Sequence, residues 1–206
     1  MPVDVKHLQV DFLTASAHKF NGAKGTGFVY VKSGLTLPHL IFDGGQEHGY
    51  RAGTENVAGI VALGIALDES VAMIDAEAER KNVLVHKTVA GIKEVIPDVH
   101  TNGENADRLP GTLNITLPGV SGESMMHLLD LKDVCISTSS ACTSGKNEPS
   151  HVLVAIGLSE SQAKSSIRIS YGRYNTDEDV NTIIRAICTA YNKIAAGRGT
   201  RQGGIN

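Results

Sequence analysis

Two periods of apolar residues run through this chain, and each predicts its own kind of element. Thr112-Leu113-Asn114-Ile115-Thr116-Leu117 alternates polar and apolar, the pattern of a strand with one buried face. Val10-Asp11-Phe12-Leu13, Gly27-Phe28-Val29-Tyr30-Val31-Lys32 and Ser166-Ile167-Arg168-Ile169-Ser170 also read as strands, and Cys135-Ile136-Ser137 as a short one. Helical spacing takes over elsewhere. Val57, Ile60, Val61, Gly64 and Leu67 predict a core-facing helix starting at Thr54. Val85, Val89, Ile92 and Ile96 form the stripe of a second helix, from about Asp75 to Val95, that Pro97-Asp98 ends. Ser121 suits the cap of a helix to about Leu131, and Pro149 the first turn of a helix over 150–156 that Gly157 stops. Thr176 caps a last helix whose first turn holds Asp177, Glu178 and Asp179. Its buried face is Val180, Ile183, Ile184, Ile187, Tyr191 and Ile194. Residues 35–53 and 101–110 carry the breakers of loops.

The sum is an α/β chain. Its expected division is a first domain over 1–74, a second over 75–196, and a disordered tail over 197–206. Composition narrows the function classes. The 206 residues are 41% hydrophobic and 20% charged, with a net charge of −3, ordinary for a globular protein. That charge gives no reason to expect a nucleic-acid partner, and 4% aromatic content with no Trp does not suit a platform for stacked bases. The apolar run from Val57 to Leu67 is broken by Gly59 and Gly64 and is too short for a bilayer, so no membrane partner is expected. Met1-Pro2-Val3-Asp4 lacks the marks of a secretory signal. Three cysteines without Cys-x-x-Cys spacing point away from a disulfide framework or a zinc site, and toward a reducing cytoplasm.

Two segments carry chemistry. The first is Asp11-Phe12-Leu13-Thr14-Ala15-Ser16-Ala17-His18-Lys19-Phe20-Asn21-Gly22-Ala23-Lys24-Gly25-Thr26-Gly27. A strand stops at small polar residues, His18-Lys19 follows, and glycines then let the backbone turn and other groups approach. A lysine held there can form a Schiff base with a carbonyl cofactor if desolvation depresses its pKa, with Ser16 and His18 placed to hold a phosphate or ring beside it. The second is Cys135-Ile136-Ser137-Thr138-Ser139-Ser140-Ala141-Cys142-Thr143-Ser144-Gly145, where Cys142 sits among small polar residues. Structural cysteines prefer apolar surroundings, where the thiol is inert; Cys142 suits an exposed thiol on a loop. These residues alone also allow a solvated lysine on a glycine-rich turn and an ordinary surface cysteine.

Four motifs in order go further. Ser16-Ala17-His18-Lys19-Phe20-Asn21-Gly22-Ala23-Lys24-Gly25-Thr26-Gly27 resembles the cofactor-lysine motif of the pyridoxal-phosphate-dependent cysteine desulfurases of the class V aminotransferase family. Gly44-Gly45-Gln46-Glu47-His48-Gly49-Tyr50-Arg51-Ala52-Gly53-Thr54-Glu55-Asn56 resembles its second signature. Ser139-Ser140-Ala141-Cys142-Thr143-Ser144-Gly145 resembles the catalytic-cysteine loop of its long-loop, NifS- and IscS-like group. Ser166-Ile167-Arg168-Ile169-Ser170-Tyr171-Gly172-Arg173-Tyr174-Asn175-Thr176 resembles its C-terminal substrate motif. The resemblance runs from Met1 to about Ile194. It implies the C-terminal part of a fold type I large domain, over 1–74, followed by a smaller α/β domain with the catalytic-cysteine loop.

The resemblance also assigns roles. Lys19 becomes the covalent cofactor lysine and proton shuttle, and Ser16 and His18 bind the phosphate of pyridoxal 5′-phosphate. Thr54 reaches the phosphate of a partner subunit's cofactor, which implies a homodimer; its plainer role is a helix N-cap. Cys142 is the nucleophile that takes sulfur from L-cysteine as a persulfide, leaving L-alanine. Arg168 binds the substrate carboxylate, for which a guanidinium is suited by its paired donors. The implied product is sulfur for iron–sulfur or other thio-cofactor assembly, passed to an acceptor scaffold protein. The family's pyridine-nitrogen aspartate, ring-contacting glutamine and ring-stacking histidine match nothing here, so a complementing N-terminal half is expected for activity. A non-catalytic remnant that binds a partner protein remains open, as does a selenocysteine lyase or another class V enzyme. Arg51 and Glu55 are read as a structural ion pair, Cys135 and Cys188 as buried filler. Asp43 stands where the family commonly has glycine.

Overall fold

The computed structural model describes residues 2–39, 41–138 and 149–199. They form two compact units, Met1–Ala76 and Glu77–Asn206. The expected Cys142 loop falls within 139–148 and most of the expected tail within 200–206, outside the described residues.

In the N-terminal unit, strands β1 (Phe12–Ser16) and β2 (Gly27–Val31) pair antiparallel, from Phe12 opposite Val31 to Ser16 opposite Gly27. The first strand starts later than its apolar run, because pairing with β2 decides where it begins. Asp11 closes that end: its carbonyl accepts from Lys32 N–H at 2.9 Å and its carboxylate pairs with Lys32 Nζ at 3.1 Å. Helix α1 (Val57–Ala72) follows a loop whose Gln46–Gly49 turn places Glu47 and His48 in the left-handed region. Asp43 also takes φ 85, a conformation that glycine adopts at no steric cost. Two expectations fail here. The N-cap of α1 is Asn56, whose Oδ1 accepts from Gly59 N–H at 3.1 Å, not Thr54. The stripe read as core is also exposed: Val57, Ile60 and Val61 stand 45–65% open, while Gly59 and Ala66 are the buried residues of the helix. Periodicity detects an apolar face but not what covers it.

The C-terminal unit is built on a three-stranded antiparallel sheet in the order β3 (His100–Thr101), β4 (Thr112–Thr116), β5 (Ser166–Ser170). Ser137 adds an antiparallel bridge on the free side of β5, opposite Arg168. One sheet face is apolar: Leu113, Ile115, Ile167 and Ile169 are buried. They join a single core with α2 (Ile74–Val95), α3 (Gly122–Asp130) and α6 (Asp177–Gly199), through Val85, Ile92, Met125, Leu129, Val180 and Ile187 among others. The expected stripes of α2 and α6 do face this core, with Val89, Ile183, Ile184, Tyr191 and Ile194 at its margin.

Caps set the helix starts. Ser121 Oγ accepts from Ser124 N–H at 3.4 Å. At α6, Thr176 Oγ1 accepts from Asp179 N–H at 3.3 Å and Asp179 Oδ2 accepts from Thr176 N–H at 2.8 Å, a reciprocal box. Helix α4 (His151–Ala155) begins after Ser150, so Pro149 precedes the helix instead of occupying its first turn. Helix α5 (Glu160–Lys164) has a capping box between Ser159 and Gln162. Helix α6 continues through Gly197 to Gly199, beyond the expected end at 196; an interior glycine costs a helix only about 1 kcal/mol against alanine. Among the described residues no single helix is long and apolar enough to cross a membrane.

Candidate functional site

Lys19 lies on a short 3-10 turn, Ala17–Phe20, that follows β1 directly. The turn's backbone is tied down while its polar side chains are not. Ala17 is fully buried, and its N–H donates to Thr26 O at 3.0 Å. Phe20 O accepts from Ser70 Oγ on α1 at 3.0 Å. Asn21 then takes φ 69, and its N–H returns to Ala17 O. Of the glycines that follow, Gly25 serves a positive φ of 80, whereas Gly22 serves close approach: a Cβ there would stand 2.8 Å from Ala17 Cβ. Ser16 at the end of β1, and His18 and Lys19 on this anchored turn, all carry exposed side chains, and among the described residues none makes a side-chain hydrogen bond.

Thr54 is exposed in the same unit, two residues before the Asn56 cap. Arg51 does not pair with Glu55 among the described residues; its Nη1 donates to the Ala52 carbonyl oxygen. The intervening Gly53 is held by Gln46, whose Oε1 accepts its N–H at 3.4 Å.

In the C-terminal unit, Arg168 sits at the middle of β5 and is half-buried. β5 is the outer strand of the sheet, and the Ser137 bridge covers it at Arg168. Its N–H donates to Ser137 O at 2.6 Å and its C=O accepts from Ser137 N–H at 3.0 Å. Its Nη2 reaches Ser137 Oγ at 3.4 Å. Cys142 follows Ser137 by five positions in the sequence and lies outside the described residues. Cys135 is exposed, contrary to the reading as buried filler, because Ile136 and Val134 take the inward positions beside it. Cys188 is buried on α6, and burial pushes its thiol pKa up. Among the described residues no cluster of three or more His, Cys, Asp or Glu could hold a metal ion.

Arg80 is an organising residue that no motif or apolar period singles out. From α2 its guanidinium donates to Asn175 O at 2.6 Å, Gly172 O at 2.9 Å and Arg173 O at 2.8 Å. It thus holds the turn that follows β5. Glu77 braces it through Nε at 3.3 Å and Nη2 at 3.2 Å. Hydrogen bonding by Arg80 holds the Glu77 carboxyl below its ordinary range despite some desolvation, with Lys81 adding to the effect. The same turn starts at Tyr171, whose OH meets Thr88 Oγ1 at 2.5 Å and whose pKa burial raises. A partner 92 to 95 residues away leaves no local signal in a helix.

The sequence matches known proteins across most of its length. Residues 1–183 match the family described as aminotransferase class-V. Cysteine desulfurase IscS of Clostridium botulinum strain Hall is 42% identical over 187 residues, which are 90% of this chain and 47% of that protein. IscS of Dictyoglomus turgidum is 45% identical over 181 residues, 88% of this chain and 46% of that protein. The crystal structure of a NifS-like protein from Rickettsia africae superposes with a TM-score of 0.82 at 33% identity, over 93% of this chain and 50% of that one. The chain spans about half the length of the curated relatives it matches. Its mixed α/β architecture is that of the corresponding half of a NifS-like, fold type I protein. With a family match over 183 of its residues, this chain belongs to the aminotransferase class-V family.

Proposed function

We propose that this chain supplies the lysine-bearing and thiol-bearing half of a cysteine desulfurase. The observation that carries this reading is the turn of Ser16, His18 and Lys19: a hydroxyl, an imidazole and an amine on an anchored backbone, all without protein partners among the described residues. That donor set fits a phosphorylated aldehyde, since hydroxyl and imidazole N–H groups donate to phosphate oxygens and an amine bonds covalently to the carbonyl. Pyridoxal phosphate, when bound, supplies the electron sink that weakens bonds at the substrate's α and β carbons.

The chain's own residues do the rest. Ser16 and His18 hold the phosphate, with Thr54 serving a second subunit of a homodimer. Arg168 orients L-cysteine through its carboxylate. Lys19 takes the proton at Cα and hands protons on within the substrate. Cys142, as thiolate, receives the sulfur: the substrate's Cβ–S bond breaks, an S–S bond forms on Cys142, and the carbon skeleton leaves as L-alanine. The persulfide then passes to an acceptor protein for iron–sulfur or other thio-cofactor assembly. The catalytic groups outside these 206 residues come from the half of the family fold that the chain does not span, and the exposed apolar stripe of α1 suits cover by it. A partner-binding role without catalysis is the second reading, favoured by the self-contained core of the C-terminal unit.

Borohydride reduction with pyridoxal phosphate, followed by peptide mapping, tests the cofactor role. Label on Lys19 alone supports it; label scattered over surface lysines counts against it. Supplying L-cysteine and the unmatched half of the Clostridium botulinum relative tests the reaction. Alanine formation with one added sulfur on Cys142, lost in Cys142→Ser, is expected. Stable assembly of the two halves without alanine would leave the partner-binding reading in its place.

A further inference from the structure

The polar face of the C-terminal sheet contains a one-way chain of hydrogen bonds that ends beside Arg168. Its buried end is fixed by a group that can only accept: Gln162 C=O takes the proton of Ser166 Oγ at 2.7 Å. Ser166 Oγ must then accept from Thr116 Oγ1 at 2.8 Å. The 2.8 Å contact to Ser166 takes the Thr116 proton in preference to the longer one to Asn102 Oδ1 at 3.3 Å, and Thr116 Oγ1 accepts from Asn102 Nδ2 at 3.0 Å. The other proton of that nitrogen goes to Asn114 Oδ1 at 2.7 Å. Asn102, Thr116 and Ser166 are all buried, so this order of donors is not exchanged with water. Asn114 is thereby held with its oxygen toward Asn102, on the β3 side of β4. Its amide nitrogen is the other arm of that amide and has no hydrogen-bond partner among the described residues, and β5 is the strand on the other side of β4.

The residue on that side is Arg168, directly opposite Asn114 in the β4–β5 register. Both backbone groups of Arg168 are spent on Ser137, so the Asn114–Arg168 pair is of the non-hydrogen-bonded type, with Cα atoms about 4.5 Å apart and side chains on one face. Among the described residues the Arg168 side chain makes a single hydrogen bond, to Ser137 Oγ at 3.4 Å, and both Asn114 and Arg168 are half-buried. We infer that Asn114 is the second donor of the carboxylate site: its amide N–H, oriented by Asn102, binds one oxygen of an α-amino acid's carboxylate while the Arg168 guanidinium binds the other. This rests on the carboxylate role proposed for Arg168. Asn102 acts only through Asn114 and is a positioning residue.

The test is an NMR titration of the 15N-labelled 206-residue chain with L-alanine, which has the carboxylate of L-cysteine and no thiol. The Asn114 side-chain amide and Arg168 Nε–H resonances should move together along one saturation curve, with L-alaninamide moving neither. Asn114→Ala should weaken binding about tenfold, the loss of one hydrogen bond to a charged group, and Asn114→Asp more. Asn102→Leu should weaken it less, and should also speed rotation of the Asn114 amide, which loss of packing alone would not do. If Arg168 responds and Asn114 does not, or Asn114→Ala binds like the wild type, the inference is overturned while the role of Arg168 stands. If neither responds in a folded chain, both fall. An equal response to inorganic phosphate would overturn the carboxylate assignment. Should a variant fail to fold, the wild-type titration decides.

Discussion

The two units of this chain use strands and helices alike, but they bury them differently. Among the described residues of Met1–Ala76 the buried apolar side chains are three alanines, Ala17, Ala52 and Ala66, while Phe12, Phe28, Val29, Val57, Ile60, Val61 and Ile65 are exposed. In Glu77–Asn206 a contiguous core runs from Leu84 to Ala190, with Ile92, Leu113, Leu117, Met125, Leu129, Ile167 and Ile187 sealed from solvent. A two-stranded ribbon and one helix with its apolar stripe outward are marginal by themselves. The candidate cofactor turn therefore rests on the less consolidated unit, and the candidate carboxylate site on the more consolidated one. Chemistry and stability are placed in different parts of the sequence.

The comparison breaks most easily through the cores. Ile167→Ala, at a fully buried sheet position, should cost about 3 kcal/mol. Val61→Ala, at a 55% exposed position of α1, should cost less than about 0.5 kcal/mol. Urea unfolding followed by circular dichroism reads both, and equal losses would contradict the contrast. Arg80→Ala comes next. It strips three carbonyls of a cationic donor and should lower stability by about 2 kcal/mol, with Arg80→Lys restoring little, since an ammonium lacks the rigid fork. Within the N-terminal unit, Asn56→Ala should cost about 1 kcal/mol as a lost cap, and Thr54→Ala almost nothing; the urea midpoints of the two variants separate the assignments. The smallest effect is in acid. The Glu77 carboxyl lies below its ordinary value of 4.5 in the folded chain, so its contribution is complete above that pH and is lost as pH falls through the lowered pKa. Glu77→Gln should therefore flatten the acid limb of the stability profile below about pH 4.5 and change its slope little at neutral pH.

What could be read in advance follows the same division. Strand β5 was legible at its full length, because Ser-Ile-Arg-Ile-Ser alternates and its partner buries the isoleucines. The Ser121 and Thr176 caps were legible because capping is local. Helix α5 was missed: five residues are too few for a period, although Ser159 and Gln162 are a capping-box pair three residues apart. The stripe of α1 was seen but given the wrong surroundings, since burial depends on what lies opposite. Thr54 and Asn56 are both capping types, and only the backbone register chose between them. At the site, Lys19, Ser16 and His18 were legible as neighbours on one turn. Alternation predicted that Asn114 and Arg168 each lie on a strand, but their register across β4 and β5, and the line of donors through Asn102, exist only after the chain has folded.

Arg80 has a kinetic meaning as well. Its bonds close loops of 92 to 95 residues between the start of α2 and the turn after β5. Contacts of such sequence separation pay their loop-closure entropy before they return any energy, so this clasp forms after the sheet and helices it joins. A bond absent from the folding transition state slows only the return journey. Removing Arg80 should leave the refolding rate of the C-terminal unit nearly unchanged and accelerate its unfolding, making one guanidinium the latch on that unit's lifetime.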